Sequence, residues 1–143
     1  LALAVALLGS PDLLLLDEPT AGLDPEQRLR FRSLVSRASN RPTVVLSTHQ
    51  TEDITALCDR VIVLDGGSIR FDGSPEGLTE SASGRVWIGD EPDGRAVLSW
   101  RMGGGRHRHI GDPPVDAELT QPSIDDAYLL MVHGTRAHRG AAA

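Results

Sequence analysis

Lysine is absent from this sequence; all fourteen of its basic residues are arginine. A loop that grips phosphates with a lysine ammonium therefore has no place in these 143 residues. Cysteine is scarce too. The single one, Cys58, excludes a disulfide framework and suits a reducing compartment, where it reads as a small core residue. Basic residues do not outweigh acidic ones, and a formal net charge of -6 argues against a nucleic-acid partner. No apolar run reaches the roughly 18 residues expected of a membrane span. Leu1 to Leu8 is apolar, but Gly9-Ser10-Pro11-Asp12 breaks it, and it lacks the basic flank of a signal peptide. It also starts inside an apolar pattern, with no methionine and no cap, so the chain is expected to be the tail of something longer.

What is present centres on Leu13-Leu14-Leu15-Leu16-Asp17-Glu18-Pro19-Thr20-Ala21-Gly22-Leu23-Asp24-Pro25. A short apolar run bounded by turn residues reads as a strand buried on both faces, and each fully buried leucine contributes roughly 1.5–3 kcal/mol. Two carboxylates sit at its carboxyl end, where ligands gather in parallel α/β sheets. Asp24 can cap a helix that opens with Pro25, with Gln27 three residues after the cap. Phe31, Leu34, Val35 and Ala38 then share a face at helical spacing, and Asn40-Arg41-Pro42 ends the helix. Thr43 to Ser47 is a second buried-type strand, so strand, helix and strand form a parallel βαβ unit.

Thr48-His49 closes that strand. A short helix follows, with Glu52 and Asp53 in its first turn, where the dipole favours acids, and Ile54, Leu57 and Cys58 on its inner face. Arg60 to Asp65 is a third strand, turned at Gly66-Gly67 into Ser68 to Asp72 as an antiparallel hairpin. Ser74-Pro75-Glu76 starts one more helix. Beyond Ser81 to Gly84 the texture changes. Val86 to Ile88, Ala96 to Trp100 and Arg106 to Ile110 read as a small meander in which Trp87 and Trp100 pack. Pro113-Pro114 is linker. Ser123 to Asp126 opens a last helix in capping-box form, lined by Ile124, Ala127, Leu130 and Met131 and stopped by Gly134. Residues 135 to 143 are expected to be disordered.

The carboxylate pair has two readings on residue chemistry alone. Asp17 is a hard-oxygen anchor for Mg²⁺, often through water, and Glu18 beside it can accept a proton from an attacking water. Alternatively, both are loop acids near the next helix start. His49 is either a ligand-facing group or a histidine at a helix entry. His107 and His109 alternate along a strand and so share a face, but no Cys or acid cluster joins them or His133 and His138 to complete a metal set; a solvated polar edge is expected.

Taken together, LLLLDEPTAGLDP, then Ser47-Thr48-His49, then CDRVIVLDGGSIRFDG resemble the ATP-binding-cassette (ABC) ATPase family over residues 1 to 80. The resemblance implies an α/β fold, a partial P-loop NTPase with a mainly parallel sheet. It makes Leu13 to Asp17 the Walker B strand, with Asp17 helping to hold Mg²⁺. Glu18 matches the catalytic glutamate that polarises the hydrolytic water. His49 matches the switch histidine at the γ-phosphate, and Glu18 and His49 thereby belong to the ATP site. Ala21, Gly22, Leu23 and Asp24 match the D-loop, which crosses the interface to a second ATPase domain. The glutamine loop and the LSGGQ-type motif are missing along with the lysine loop, and the chain is expected to begin just after that motif.

Gln121-Pro122-Ser123-Ile124-Asp125-Asp126-Ala127-Tyr128-Leu129 also resembles the end of ATPase subunits from drug-exporter-type transporters. The resemblance thus implies three segments: residues 1–80 as the later part of the ATPase domain, 81–118 as a small β-rich accessory meander and linker, and 119–143 as a terminal helix and tail. The implied protein is an ATP-binding subunit of an exporter, cytoplasmic and peripheral on the plasma membrane, partnered by transmembrane permease subunits. ATP and Mg²⁺ bind only in the complete protein, and this chain alone is expected to be inactive. The alternatives are a non-enzymatic product that pairs with an intact ATPase domain, and an ABC ATPase of non-transport function.

Overall fold

A computed structural model describes residues 2–7, 11–38 and 42–140. The chain divides into two compact units, Leu1–Cys58 and Asp59–Ala143. The first runs α1 (Ala2–Leu7), β1 (Leu13–Asp17), α2 (Pro25–Ala38), β2 (Thr43–Ser47) and α3 (Thr51–Leu57). Leu1, Leu8 and Gly9, and the helix stop expected at Asn40-Arg41, lie outside the described residues.

β1 and β2 pair in parallel, in register from Leu13↔Thr43 to Asp17↔Ser47, as expected of a βαβ unit. The backbone N–H of Gln27 donates to Asp24 Oδ1 at 2.8 Å, which is the expected cap of α2. Phe31 and Val35 are buried, but Leu34 is exposed. The leucine run also departs from expectation. Leu14 is buried while Leu13 and Leu15 are exposed, the latter at 68%. Side chains alternate across a strand, and β1 has β2 as its only strand partner among the described residues, so one face is covered and the other is not.

The second unit runs β3 (Val61–Asp65), β4 (Ser68–Gly73), α4 (Pro75–Glu80), β5 (Val86–Gly89), β6 (Ala96–Arg101), β7 (His107–Gly111), β8 (Glu118–Leu119) and α5 (Ile124–Gly140). β3 and β4 form the expected hairpin. Gly66 and Gly67 both take positive φ, 57° and 75°, which a two-residue turn of this hand demands. Ser74 caps α4 by accepting from the Gly77 N–H at 3.1 Å.

The mainly parallel sheet is not found: β1–β2 is parallel, and every pairing in the second unit is antiparallel. Nor is the later sheet a meander. Its order is β6-β7-β5-β8, so β7 lies between β5 and β6, and β8 straddles the expected boundary between linker and terminal segment. The reason lies in burial. β5 and β7 carry the buried Val86, Trp87, His109 and Ile110 and take the centre, while β6, with Trp100 exposed, takes an edge. His109 is therefore no solvated edge residue. It stacks on Trp87 with ring centroids 5.1 Å apart, and desolvation holds its imidazole below the ordinary histidine range, with the Asp93 charge opposing and His107 adding. No group of three His, Cys, Asp or Glu among the described residues could hold a metal ion.

Helix α5 opens with the expected capping box. The Asp126 N–H donates to Ser123 Oγ at 3.2 Å, and the Ser123 N–H donates to Asp126 Oδ2 at 2.7 Å. Arg108 completes it, with Nε 3.0 Å from Oδ1 and Nη2 2.5 Å from Oδ2 of the buried Asp126. The helix does not stop at Gly134 but continues to Gly140, so residues 135–140 are helical rather than disordered. A single glycine costs a helix only about 1 kcal/mol, too little to end one. Residues 141–143 lie outside the described residues.

Burial raises the Asp126 carboxyl, but the Arg108 and Ser123 donors outweigh it and hold the group below the usual carboxylate range. A depressed folded pKa gives stability that is present above the unfolded value and lost as pH falls through the folded one. Asp126→Asn is therefore expected to destabilise the second unit by about 3 kcal/mol, the lower end for a broken buried pair, because Arg108 keeps some contact with water. Urea unfolding followed by tryptophan fluorescence checks this. The gap to wild type should narrow below about pH 4, where the unfolded carboxyl also protonates.

Candidate active site

Parallel pairing sends the carboxyl ends of β1 and β2 to one edge. Asp17 ends β1 opposite Ser47, which ends β2, and the Ser47 hydroxyl donates to Asp17 Oδ1. The next residue leaves the strand abruptly. Glu18 has φ of 43°, the left-handed region, which costs a side-chain-bearing residue about 1–2 kcal/mol. Its N–H still donates to the Ser47 carbonyl at 2.9 Å, and its own carbonyl accepts from the Ala21 N–H at 3.1 Å. A strained residue persists only where its surroundings over-determine it, and such residues gather at functional sites.

The result is a carboxylate aimed across the strand ends. Glu18 Oε2 lies 2.9 Å from Nδ1 of His49, two residues beyond β2. The Glu18 side chain is 38% exposed and that of His49 74%, but Oε2 itself is shielded from solvent and the approach lacks hydrogen-bond geometry. An exposed pair of this kind contributes only about 0–1 kcal/mol, and its value lies in placing groups rather than in stability. A carboxylate here can take a proton from a water molecule, and the His49 Nε2 is left to meet an anion. Asp17, Glu18 and His49 thus share one edge. Ala21, Gly22, Leu23 and Asp24 form the turn between β1 and α2. Ala21, Gly22 and Asp24 are exposed and Leu23 is half-buried.

Sequence reasoning missed a buried carboxylate bonded to the turn after Glu18. Asp53 stands in the first turn of α3 as expected, and its side chain is wholly buried. Thr20, also wholly buried, donates from Oγ1 to Asp53 Oδ2 at 2.5 Å. Arg32 of α2 holds the other oxygen, with Nε at 2.8 Å and Nη2 at 2.6 Å from Oδ1. Glu52 Oε2 lies 3.3 Å from Arg28 Nη1 and 3.5 Å from Arg32 Nη2. Hydrogen bonds to a charged group contribute about 1.5–3 kcal/mol each, so this network outweighs the exposed pair. One signal was available: Arg28 and Arg32 stand four apart on α2, a spacing that presents both guanidinium groups to one neighbour. Ser47, beside Asp17, likewise looks in sequence like no more than a strand end.

Comparison with known proteins finds relatives named as ATP-binding and transporter proteins. Residues 1–52 match the family described as "AAA domain, putative AbiEii toxin, Type IV TA system". More specifically, the chain is 44% identical over 88 residues to Nod factor export ATP-binding protein I of Burkholderia orbicola, covering 59% of this chain and 28% of that one. The Nod factor export ATP-binding protein I of Neorhizobium galegae is 44% identical over 105 residues, 68% of this chain and 29% of the relative. ABC transporter A family member 8 of Arabidopsis thaliana is 37% identical over 84 residues, 59% of this chain and 9% of the relative. The homologues of this chain are ABC transporter ATP-binding proteins. The chain spans less than a third of their length. Among its described residues no helix is long and apolar enough to cross a membrane.

The geometry at position 18 makes its own prediction. Glycine adopts the left-handed region freely and alanine does not, so Glu18→Gly should be more stable than Glu18→Ala by about 1 kcal/mol. Urea unfolding of the two variants, followed by far-ultraviolet circular dichroism, measures the difference. Alanine equal to or better than glycine would place residue 18 elsewhere in backbone space.

Proposed function

We propose that this chain is the later part of the ATPase subunit of an ABC exporter and supplies the water-and-magnesium side of its ATP site. The observation that carries the reading is the 2.9 Å approach of Glu18 to His49 at the common end of two parallel strands, beside Asp17. In this reading residues 1–80 belong to the ATPase domain, 81–118 to an accessory segment and 119–143 to the terminal helix and tail. Leu13, Leu15 and Val45 are 52%, 68% and 51% exposed, an apolar sheet surface suited to further parallel strands and covering elements from the rest of the domain.

Asp17 and the Ser47 hydroxyl offer hard oxygen donors at the strand ends, which fits Mg²⁺ held directly or through water. That ion, when bound, offsets the charge on the phosphate oxygens. Glu18 orients the attacking water and takes its proton as the bond between the β–γ bridging oxygen and the γ-phosphorus breaks. His49 donates from Nε2 to a γ-phosphate oxygen while Nδ1 faces Glu18. The residues that grip the phosphates lie outside this lysine-free stretch. Ala21 to Asp24 reach a second ATPase domain, and the assembled pair drives transmembrane permease subunits from the cytoplasmic face. The tail from Gln121 to Leu129 favours export, of the multidrug type, over import.

Two measurements test this. The purified 143-residue chain should show no ATP turnover above a protein-free control. In the complete ATPase that carries this stretch, Glu18→Gln should lower kcat by roughly 10²–10⁴-fold, the range for loss of a general base. A near-wild-type rate would remove Glu18 from the role. Turnover by the isolated chain would overturn the half-site reading. Binding of the isolated chain to an intact cassette domain, without turnover in the variant or the parent, would favour a non-enzymatic pairing product instead.

A further inference from the structure

We propose that the buried carboxylate of Asp53 is the positioning residue that holds Glu18 and His49 in register, acting through Thr20. The inference rests on the catalytic reading of Glu18 and His49 given above. Thr20 follows Glu18 by two residues, on the turn that Glu18 opens. Asp53 follows His49 by four, in the first turn of α3. Their side chains are both 0% exposed and meet at 2.5 Å. Asp53 is thereby a tie between the two segments that carry the reacting groups, and Arg32 anchors the tie to α2 from the opposite oxygen.

The exposed Glu18–His49 pair cannot supply that constraint itself. The 2.9 Å approach lacks hydrogen-bond geometry, and Glu18 sits in a backbone conformation that its side chain disfavours. A buried, charge-assisted contact is short and directional and is little screened. Loss of the Thr20 hydroxyl leaves Asp53 Oδ2 without this donor in a dry site and frees the turn behind Glu18. Displacing a catalytic group by about 1 Å can cost on the order of 10²-fold in rate. ATP affinity, set by phosphate-gripping residues elsewhere, should not change.

The test uses Thr20→Val, which keeps the size and β-branching of threonine, and Thr20→Ser, which keeps the hydroxyl. In the complete ATPase, Thr20→Val should lower kcat by about 10- to 100-fold with KM for ATP and the stoichiometry of ATP binding unchanged. Thr20→Ser should restore kcat. Unchanged kcat in Thr20→Val, or an equal loss in Thr20→Ser, would overturn the inference. A fall in ATP-binding stoichiometry that matches the fall in kcat would also overturn it, since that marks a merely structural role. A second readout uses the 143-residue chain. The ring-nitrogen resonances of His49 should shift in Thr20→Val as they do in Glu18→Gln, and stay in place in Thr20→Ser; a wild-type spectrum in Thr20→Val sinks the idea. Glu18→Gln separates the two claims. If it keeps kcat, the catalytic reading fails; if it loses kcat while Thr20→Val does not, only the role of Asp53 fails.

Discussion

The parallel pairing of β1 with β2 is the constraint on which the site depends. Because Asp17 stands opposite Ser47 in an unbroken register, the residues just beyond each strand are neighbours whatever the intervening helix does. A slip of one residue would turn every side chain of β1 to the other face and separate Glu18 from His49. The hairpin and antiparallel sheet of the second unit need no such crossover. Their registers are set by tight turns and by which strands carry the buried residues.

Both units bury an aspartate of a helix's first turn on the same pair of partners. Asp53 and Asp126 each occupy the third position of their helix, each is buried, and each binds one arginine and one hydroxyl group, Arg32 with Thr20 and Arg108 with Ser123. The fork of a guanidinium satisfies a carboxylate that a point-like ammonium would leave partly unpaired. A chain whose cations are all arginine can therefore bury acids that would otherwise be costly. In the second unit this closes a capping box. In the first, the same chemistry joins the turn after Glu18 to the helix after His49.

The parts that were legible in sequence are those written in contiguous residues. The strand, the Asp17-Glu18 pair, the cap at Asp24, the Gly66-Gly67 turn and the Ser123 capping box each depend on neighbours within a few positions. What was not legible depends on partners distant in the chain. Asp53 carries the same local signal whether it faces water or Arg32, and its burial follows from the packing of α3 on α2. The leucine run implied two covered faces, yet alternation along β1 with β2 beside it leaves Leu13 and Leu15 exposed. The order of the later sheet turned on which strands bury Trp87 and Ile110, and Gly134 signals a stop locally although tertiary contacts readily outweigh one glycine.

The central proposal is that Glu18, on the attacking water, and His49, on the γ-phosphate, work as a unit and not as two independent contributors. A double-mutant cycle on the single-turnover rate of ATP hydrolysis, combining Glu18→Gln with His49→Ala in the complete ATPase, tests it most directly. The account predicts strong non-additivity, with the double variant no slower than the slower single one. A double variant slowed by the full product of the two single effects would contradict it.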